Sequence, residues 1–277
     1  MLKDIVVNLN VRDGGNATGA YAVSVANALE AHITGVAFVC GLDTPMSELG
    51  YRPRERTDVT SQGDNETLAI AAIGRFEEAA ARAGVSAEPR IIRSHSVNIG
   101  DKFSRFARRY DLSIVGQTEP KGSAAEAGIA ENTLFESGRP VIIVPYIHKA
   151  SFKLDRVMVC WDASRPAARA IADAMPLLKR AGKIEVVIIA NERGKQDEIE
   201  GVDIGQHLAR HDLRVEVNRI MRDNLDVANV LLSHSADSDA NFIVMGGYGH
   251  SRLREFVLGG VTRTILQSMT APVLMSH

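Results

Sequence analysis

Cysteine is nearly absent. Cys40 and Cys160 are the only two in 277 residues. They stand far apart and neither belongs to a CxxC pair, so neither a disulfide framework nor a cysteine-based zinc site is expected. An excess of one charge is also missing: 32 Lys and Arg face 34 Asp and Glu, the formal net charge is −2, and no long basic run occurs. Nucleic acids and anionic membranes are held by clustered cations, so neither is an expected partner. The longest apolar runs are too short to span a bilayer. The N-terminal "MLKDIVVNLN" lacks the charged start and long apolar core of a secretory signal. A soluble, cytoplasmic protein is the expectation that follows. Catalytic signatures are missing too. GxxxxGK[ST], GxGxxG and HExxH do not occur, nor does a Ser-His-Asp constellation or a paired acid motif, which counts against P-loop NTPases, Rossmann dehydrogenases and metalloproteases.

What is present is a globular composition, 45% apolar and 24% charged, in a chain long enough for one large domain or two ordinary ones. It is also repeated. "DIVVNLN" from Asp4 resembles "RVMVCWD" from Arg156, and "ITGVAFVC" from Ile33 resembles "IEVVIIAN" from Ile184, at offsets of 152 and 151. "DLSIVG" from Asp111 resembles "NFIVMG" from Asn241, and Pro140 in "RPVIIVPY" aligns with Pro272 in "APVLMSH", at offsets of 130 and 132. The order is the same in both halves, as an internal duplication requires. The drop in offset places about 21 extra residues in the first half, around "GLDTPMSELGYRPRERTDVTSQGDNET", whose polar, Pro- and Gly-bearing composition reads as a long loop.

Each half alternates β-branched runs with helical patterns. In the second half, "RVMVCW" is apolar enough for a strand buried on both faces. "SRPAARAIADAMPLLKRAG" follows as a helix, with Ser164 as N-cap, Pro166 in the first turn and Gly182 at its end. Then come strand "KIEVVIIA", a helix in "VDIGQHLARHD", strand "RVEVNRIM", a helix in "NLDVANVLLSHSAD", strand "FIVMG", a helix from the Gly259-Gly260 step, and strand "PVLMS". This alternation implies an α/β fold of two repeated open parallel-sheet domains, residues 1–147 and 153–277, joined near "IHKASFKLD". The linker is short, so the halves are expected to touch.

Ligands of open parallel sheets bind beyond the C-terminal strand ends, where strand order reverses. Three features of the second half fall at such ends: Asp162, Ala190 with Asn191, and Gly246 to Gly249. Gly246 and Gly249 permit a tight turn and close approach. Gly259 and Gly260 open a helix whose free N–H groups and positive dipole end suit an anion. Asp162 can accept from an adenine amino group or a ribose hydroxyl. These residues describe a nucleotide site, or glycines that merely shape loops.

The spacing Gly246-x2-Gly249-x9-Gly259 resembles the nucleotide-binding motif of the universal stress protein family. "FIVMGGYG", "LGGVT", "APVLMSH" and "VMVCWDAS" resemble that family's fourth strand end, helix start, closing strand and first strand. The resemblance implies two adenine-nucleotide alpha-hydrolase-like, Rossmann-like domains in tandem. It also implies that the C-terminal half binds ATP (or ADP or AMP), with Mg2+ as an optional companion. By position, Asp162 would contact adenine or ribose, Ala190 would offer backbone to the base, and Met245, Gly246, Gly249, Gly259, Gly260 and Val261 would surround ribose and phosphates. Thr262 sits where the family often has a second hydroxyl.

One departure matters. The family usually carries Ser or Thr directly after the third glycine, and here it is Gly260. A hydrogen bond to charged phosphate is worth about 1.5–3 kcal/mol, so binding is expected to be weaker unless Thr262, Arg252, Arg254 or Arg263 compensates. The first half departs further: Asn10 replaces the aspartate, and Glu119 stands where Gly249 stands. A carboxylate there repels phosphate, so this half is expected to keep the fold and lose the nucleotide.

Other candidates are simpler to read as structure. His207 and His211 share a helix face but lack a third metal ligand nearby. His250 is a loop residue beside the glycines or one that approaches a phosphate, Trp161 reads as core or as a border of the base, Cys160 lies in a buried strand and reads as inert, and "RPRERTD" from Arg52 reads as a solvated loop or a partner contact. No general base or metal-ligand set for turnover is evident, so any ATP hydrolysis is expected to be slow. The expected role is a nucleotide-binding regulator of the stress response with a regulatory protein partner. The alternatives are a stress scaffold that binds no nucleotide and, last, an ATP-using transferase. The closing strands "PVIIVP" and "PVLMS" are apolar and sit at a sheet edge in this family; edges of this kind are covered, so the halves are expected to pair there as an intrachain pseudo-dimer, with a further homodimer open.

Overall fold

The computed structural model describes residues 2–11, 17–41, 58–95, 99–119, 128–190, 196–221, 225–247 and 260–277. The first half runs β1 (Asp4–Leu9), α1 (Ala17–Leu29), β2 (His32–Gly41), α2 (Asp58–Ala83), β3 (Ala87–His95), α3 (Ile99–Ala107), β4 (Leu112–Gly116), α4 (Ile129–Glu136) and β5 (Val141–Val144). The second repeats it with β6 (Arg156–Cys160), α5 (Arg165–Leu178), β7 (Lys183–Ala190), α6 (Gln196–Ala209), β8 (Val215–Met221), α7 (Val227–Asp237), β9 (Phe242–Gly246), α8 (Gly260–Ser268) and β10 (Val273–Ser276). Strand order across one ten-stranded sheet is β3-β2-β1-β4-β5-β10-β9-β6-β7-β8.

Every pairing is parallel except the central one, where β10 runs antiparallel to β5 with Leu274 opposite Ile142. The two halves thus meet edge to edge, as the apolar closing strands imply. The central strands alternate between two cores. Ile142 and Leu274 face the layer of α1, α2, α5 and α6. Val141, Ile143, Val273 and Met275 face the layer of α3, α4, α7 and α8. All six are fully buried, as strands covered on both faces must be.

The linker is anchored on both halves. The Phe152 ring stands edge-on to Tyr21, 5.9 Å away, and to Phe242, 5.7 Å away. Its backbone N–H donates to Ser24 Oγ at 2.8 Å. The N–H groups of Gly182 and Lys183 donate to the carbonyls of Leu154 and Asp155. His148 is half-buried with its ring edge-on to Tyr21 at 5.3 Å, and its buried Nε2 has no hydrogen-bond partner among the described residues. Burial pushes the His148 pKa down, only partly offset by a backbone hydrogen bond at Ala150.

Three local expectations change. The stretch read as a long loop includes helix: α2 begins at Asp58, so only 42–57 of that stretch lie outside the described residues. Its polar residues suit a helix turn that precedes the packed positions Ala69, Ala72, Ile73 and Phe76. Helix α5 ends at Leu178 rather than Gly182, its last turn tightening through Arg180 to Leu177 and Ala181 to Leu178 bonds. Gly182 instead lets the backbone of Asp155 approach: a Cβ there would lie 2.9 Å from its carbonyl oxygen. Helix α6 starts at Gln196, earlier than the apolar pattern indicates.

Two outcomes test this packing. Leu274→Ala should destabilise the protein by about 2–5 kcal/mol, the range for a buried leucine, measured by urea denaturation. His148 has a folded pKa below its unfolded value, so its contribution is complete above the unfolded value and declines as pH falls below about 6.5. Between pH 7.5 and 5.5 the wild type should therefore lose more melting temperature than His148→Phe; equal losses would refute the assignment.

Candidate functional site

Strand order reverses between β6 and β9. Strand β6 pairs with β7 on one side and β9 on the other. The C-terminal ends of these three neighbours carry Asp162, Ala190 and Gly246, so the structure brings together three residues read from separate stretches of sequence. Asp162 lies two residues beyond β6 and is exposed, while Ala190 is buried at the end of β7 and Met245 near the end of β9.

The β6–α5 turn is organised by its own polar groups. Asp162 Oδ1 accepts from the Ser164 N–H at 3.0 Å, and Ser164 Oγ accepts from the Ala167 N–H at 3.2 Å as the helix N-cap. Ala163 between them sits in the left-handed region, at φ 57°, a conformation that typically costs a non-glycine residue about 1 kcal/mol or more. One carboxylate oxygen of Asp162 is thus spent on the turn, and the exposed group keeps a second for another donor.

Gly246 is required by contact. A Cβ there would lie 2.6 Å from the Pro166 carbonyl carbon and closer still to the Ala167 nitrogen. The end of β9 therefore abuts the start of α5. The first half repeats the device: a Cβ on Gly116 would lie 2.9 Å from Thr18 Oγ1 of α1.

Helix α8 begins at Gly260, which is exposed and has open space where a Cβ would stand. Its early N–H groups have no partner within the helix. Val261 is half-buried and packs on the α7 and α8 layer, and Arg263 is exposed. Thr262 is buried and has an interaction partner, so its hydroxyl does not stand open as the replacement for a residue-260 hydroxyl. Gly249, Gly259, Asn191, His250, Arg252 and Arg254 lie outside the described residues.

A cleft of about 390 Å3 opens beside this turn, lined by Trp161, Ala163, Ala168, Ile171, Asp203, Ile204 and His207. Trp161 borders it while also packing on the core, and its indole N–H is buried without a partner among the described residues. Ile171 and Ile204 have the helical spacing of core residues and Asp203 is exposed, so their lining of this cleft is not legible in the sequence. His207 and His211 stack edge-on at 4.9 Å, and no group of three metal-ligating side chains exists among the described residues. Cys160 is half-buried; burial, with the Asp162 charge second, pushes its thiol up to about 12, so at neutral pH it is a poor nucleophile. In the first half Glu119 is exposed and Asn10 half-buried with an interaction partner.

A parallel α/β half with strand order 3-2-1-4-5, repeated about an antiparallel pair, defines a tandem doubly wound protein with its crevice at the switch point. Residues 153–277 match the model of the Universal stress protein family. The C-terminal half is thus a universal stress protein family domain. Over its whole length the chain is similar to a universal stress protein from Archaeoglobus fulgidus DSM 4304, with TM-score 0.70, 17% identity, and 98% of this chain and 97% of that one covered. It is also similar to a functionally unknown protein from Pseudomonas aeruginosa PAO1, with TM-score 0.64, 11% identity, and 99% and 92% covered. At these identities the likeness establishes the fold. No curated protein matches the chain. No described helix is long and apolar enough to cross a membrane.

The contact at Gly246 makes a direct prediction. Gly246→Ala should force apart β9 and α5 and cost about 1–3 kcal/mol, the usual range for overpacking, read from the shift in the denaturation midpoint. A neutral effect would show that β9 and α5 do not meet closely there.

Proposed function

We propose that the C-terminal half binds an adenine nucleotide and that the protein acts as a cytoplasmic regulator of the stress response. The observation that carries this reading is the convergence of Asp162, Ala190 and Gly246 on three hydrogen-bonded strand ends at the switch point. Asp162 takes the adenine amino group or a ribose hydroxyl, and the Ala190 backbone borders the base. Met245, Gly246, Gly249, Gly259, Gly260 and Val261 surround ribose and phosphates, with the α8 N–H groups facing the negative charge. Arg263 is a nearby cation in the first turn of α8. Thr262 supports the cradle from within. ATP, ADP and AMP share this chemistry, and Mg2+ would accompany a polyphosphate. Binding rather than turnover is the proposed role: contacts to the 247–258 segment change the surface that a partner protein reads.

The two proposed domains are residues 1–147 and 153–277. The first half, with Asn10 for the aspartate and Glu119 for Gly249, serves as the structural partner and binds no nucleotide at the corresponding place. Homodimerisation of the whole chain is a further proposal. A scaffold that binds no nucleotide is the second reading, favoured by the missing hydroxyl at Gly260 and the buried one at Thr262.

The test begins with protein purified without added nucleotide, denatured, and its released ligand identified by chromatography. Calorimetric titration of ATP into wild type, Gly249→Glu and Gly260→Ser follows. Gly249→Glu should abolish binding by placing a carboxylate against phosphate. Gly260→Ser fits the open space at that position and should tighten binding about tenfold, the lower end of the worth of a hydrogen bond to a charged group. Equal heats in wild type and Gly249→Glu would rule out the proposed site, and the absence of both heat and released nucleotide would leave the scaffold.

A further inference from the structure

The backbone after the fourth strand of each half is equivalent. The Gln117 N–H donates to the Val144 carbonyl at 2.7 Å, and the Gly247 N–H to the Ser276 carbonyl at 2.9 Å. The side chains at these matched positions are not equivalent. Gln117 is buried, 5% exposed, and its carboxamide crosses between halves. Its Nε2 donates to the Leu266 carbonyl of α8 at 2.9 Å, while its Oε1 accepts from the Tyr146 N–H at 3.2 Å.

Leu266 lies in the last turn of α8, where helix carbonyls have no intrahelical donor. Gln117 supplies one from the other half of the molecule, and its own orientation is fixed by the Tyr146 backbone. Gly247 cannot return the bond. In its place the Leu134 side chain of α4 fills the space, and a Cβ on Gly247 would lie 2.6 Å from Leu134 Cδ2. The polar clamp therefore runs one way, from the first half to the second.

We infer that Gln117 is a positioning residue for α8: it holds the C-terminal turn of that helix and so fixes where its N-terminal N–H groups point. The distance from Leu266 to Gly260 along the helix is about 9 Å, six residues at 1.5 Å, and a short rigid helix transmits a tilt at one end to the other. The effect on affinity rests on the nucleotide reading above; the hold on α8 does not. The first half then has a role in the site of the second without a nucleotide of its own.

Gln117→Met keeps the side-chain length and removes both the donor to Leu266 and the acceptor for the Tyr146 N–H; Gln117→Glu keeps the acceptor and sets a carboxylate against the Leu266 carbonyl. Amide hydrogen exchange, measured without nucleotide on peptides covering 260–268 and on control peptides in β4 and β5, reads the clamp directly. Exchange in α8 should rise roughly threefold to tenfold in the Met variant, the change one lost hydrogen bond carries, and further in the Glu variant, with β4 and β5 unchanged. ATP affinity should fall by a similar factor at unchanged stoichiometry. Unaltered exchange in α8, or an equal rise in β4 and β5, overturns the inference whatever the titration shows. Altered exchange in α8 alone, with no ATP binding by wild type, upholds the clamp and defeats the nucleotide reading instead.

Discussion

The antiparallel pairing of β5 with β10 is the constraint on which the rest depends. Each half ends its parallel sheet on a strand whose outer edge would otherwise expose unpaired N–H and C=O groups together with apolar side chains. Joining the two edges satisfies the backbone and buries Ile142, Ile143, Leu274 and Val273 on both faces at once. It also fixes the orientation of the halves. Antiparallel pairing relates them by an approximate two-fold, which brings α4 of one half toward the end of β9 in the other. The contacts between Leu134 and Gly247, and between Phe135 and His277 with ring centroids 4.8 Å apart, follow from that geometry. So does the Arg169 guanidinium of α5 donating to the Gly138 carbonyl of the first half at 3.1 Å. The linker reinforces the arrangement by seating Phe152 between Tyr21 and Phe242.

Much of this fold is legible in the sequence, because buried parallel strands leave an unambiguous signal. "FIVMG" and "KIEVVIIA" are β-branched runs bounded by helical patterns, and the observed strands carry the same limits. The duplication was read from matching strands, and the closing strands revealed their pairing by being apolar at an edge. Boundaries set by tertiary contact were less legible. Gly182 looks like a helix terminator, since glycine is frequent there, yet its use is to admit the Asp155 backbone. The polar start of α2 looks like a loop because polar residues at a helix start and in a loop give similar compositions.

The candidate site divides along the same line. Asp162, Ala190 and Gly246 were legible because strand ends at a switch point converge by topology alone. Thr262 was read by position as an available hydroxyl, and it is buried; sequence position on a helix does not say which face points inward until the layer it packs on is known. The cleft between α5 and α6 was hidden for a related reason. Ile171 and Ile204 have core spacing, and only the gap between their helices makes them a lining.

The two halves answer the same backbone geometry with different side chains, and the difference lies in what those side chains hold. At the end of the fourth strand the second half has Gly246-Gly247, which leaves room for the start of α5 and for Leu134 of α4. The first half has Gly116-Gln117, and the carboxamide leaves its own half to hold α8. Two residues further on, Glu119 is exposed. A half that had simply decayed would leave its exchanged side chains facing solvent. Gln117 is instead buried and engaged through its backbone N–H and both of its carboxamide atoms. Burial of an amide is costly unless its donors and acceptor are engaged, and Gln117 meets that condition across the two-fold. On that physical ground the first half supports helix α8 of the second through Gln117, and the matched position in the second half, Gly247, returns no such bond because Leu134 occupies its space.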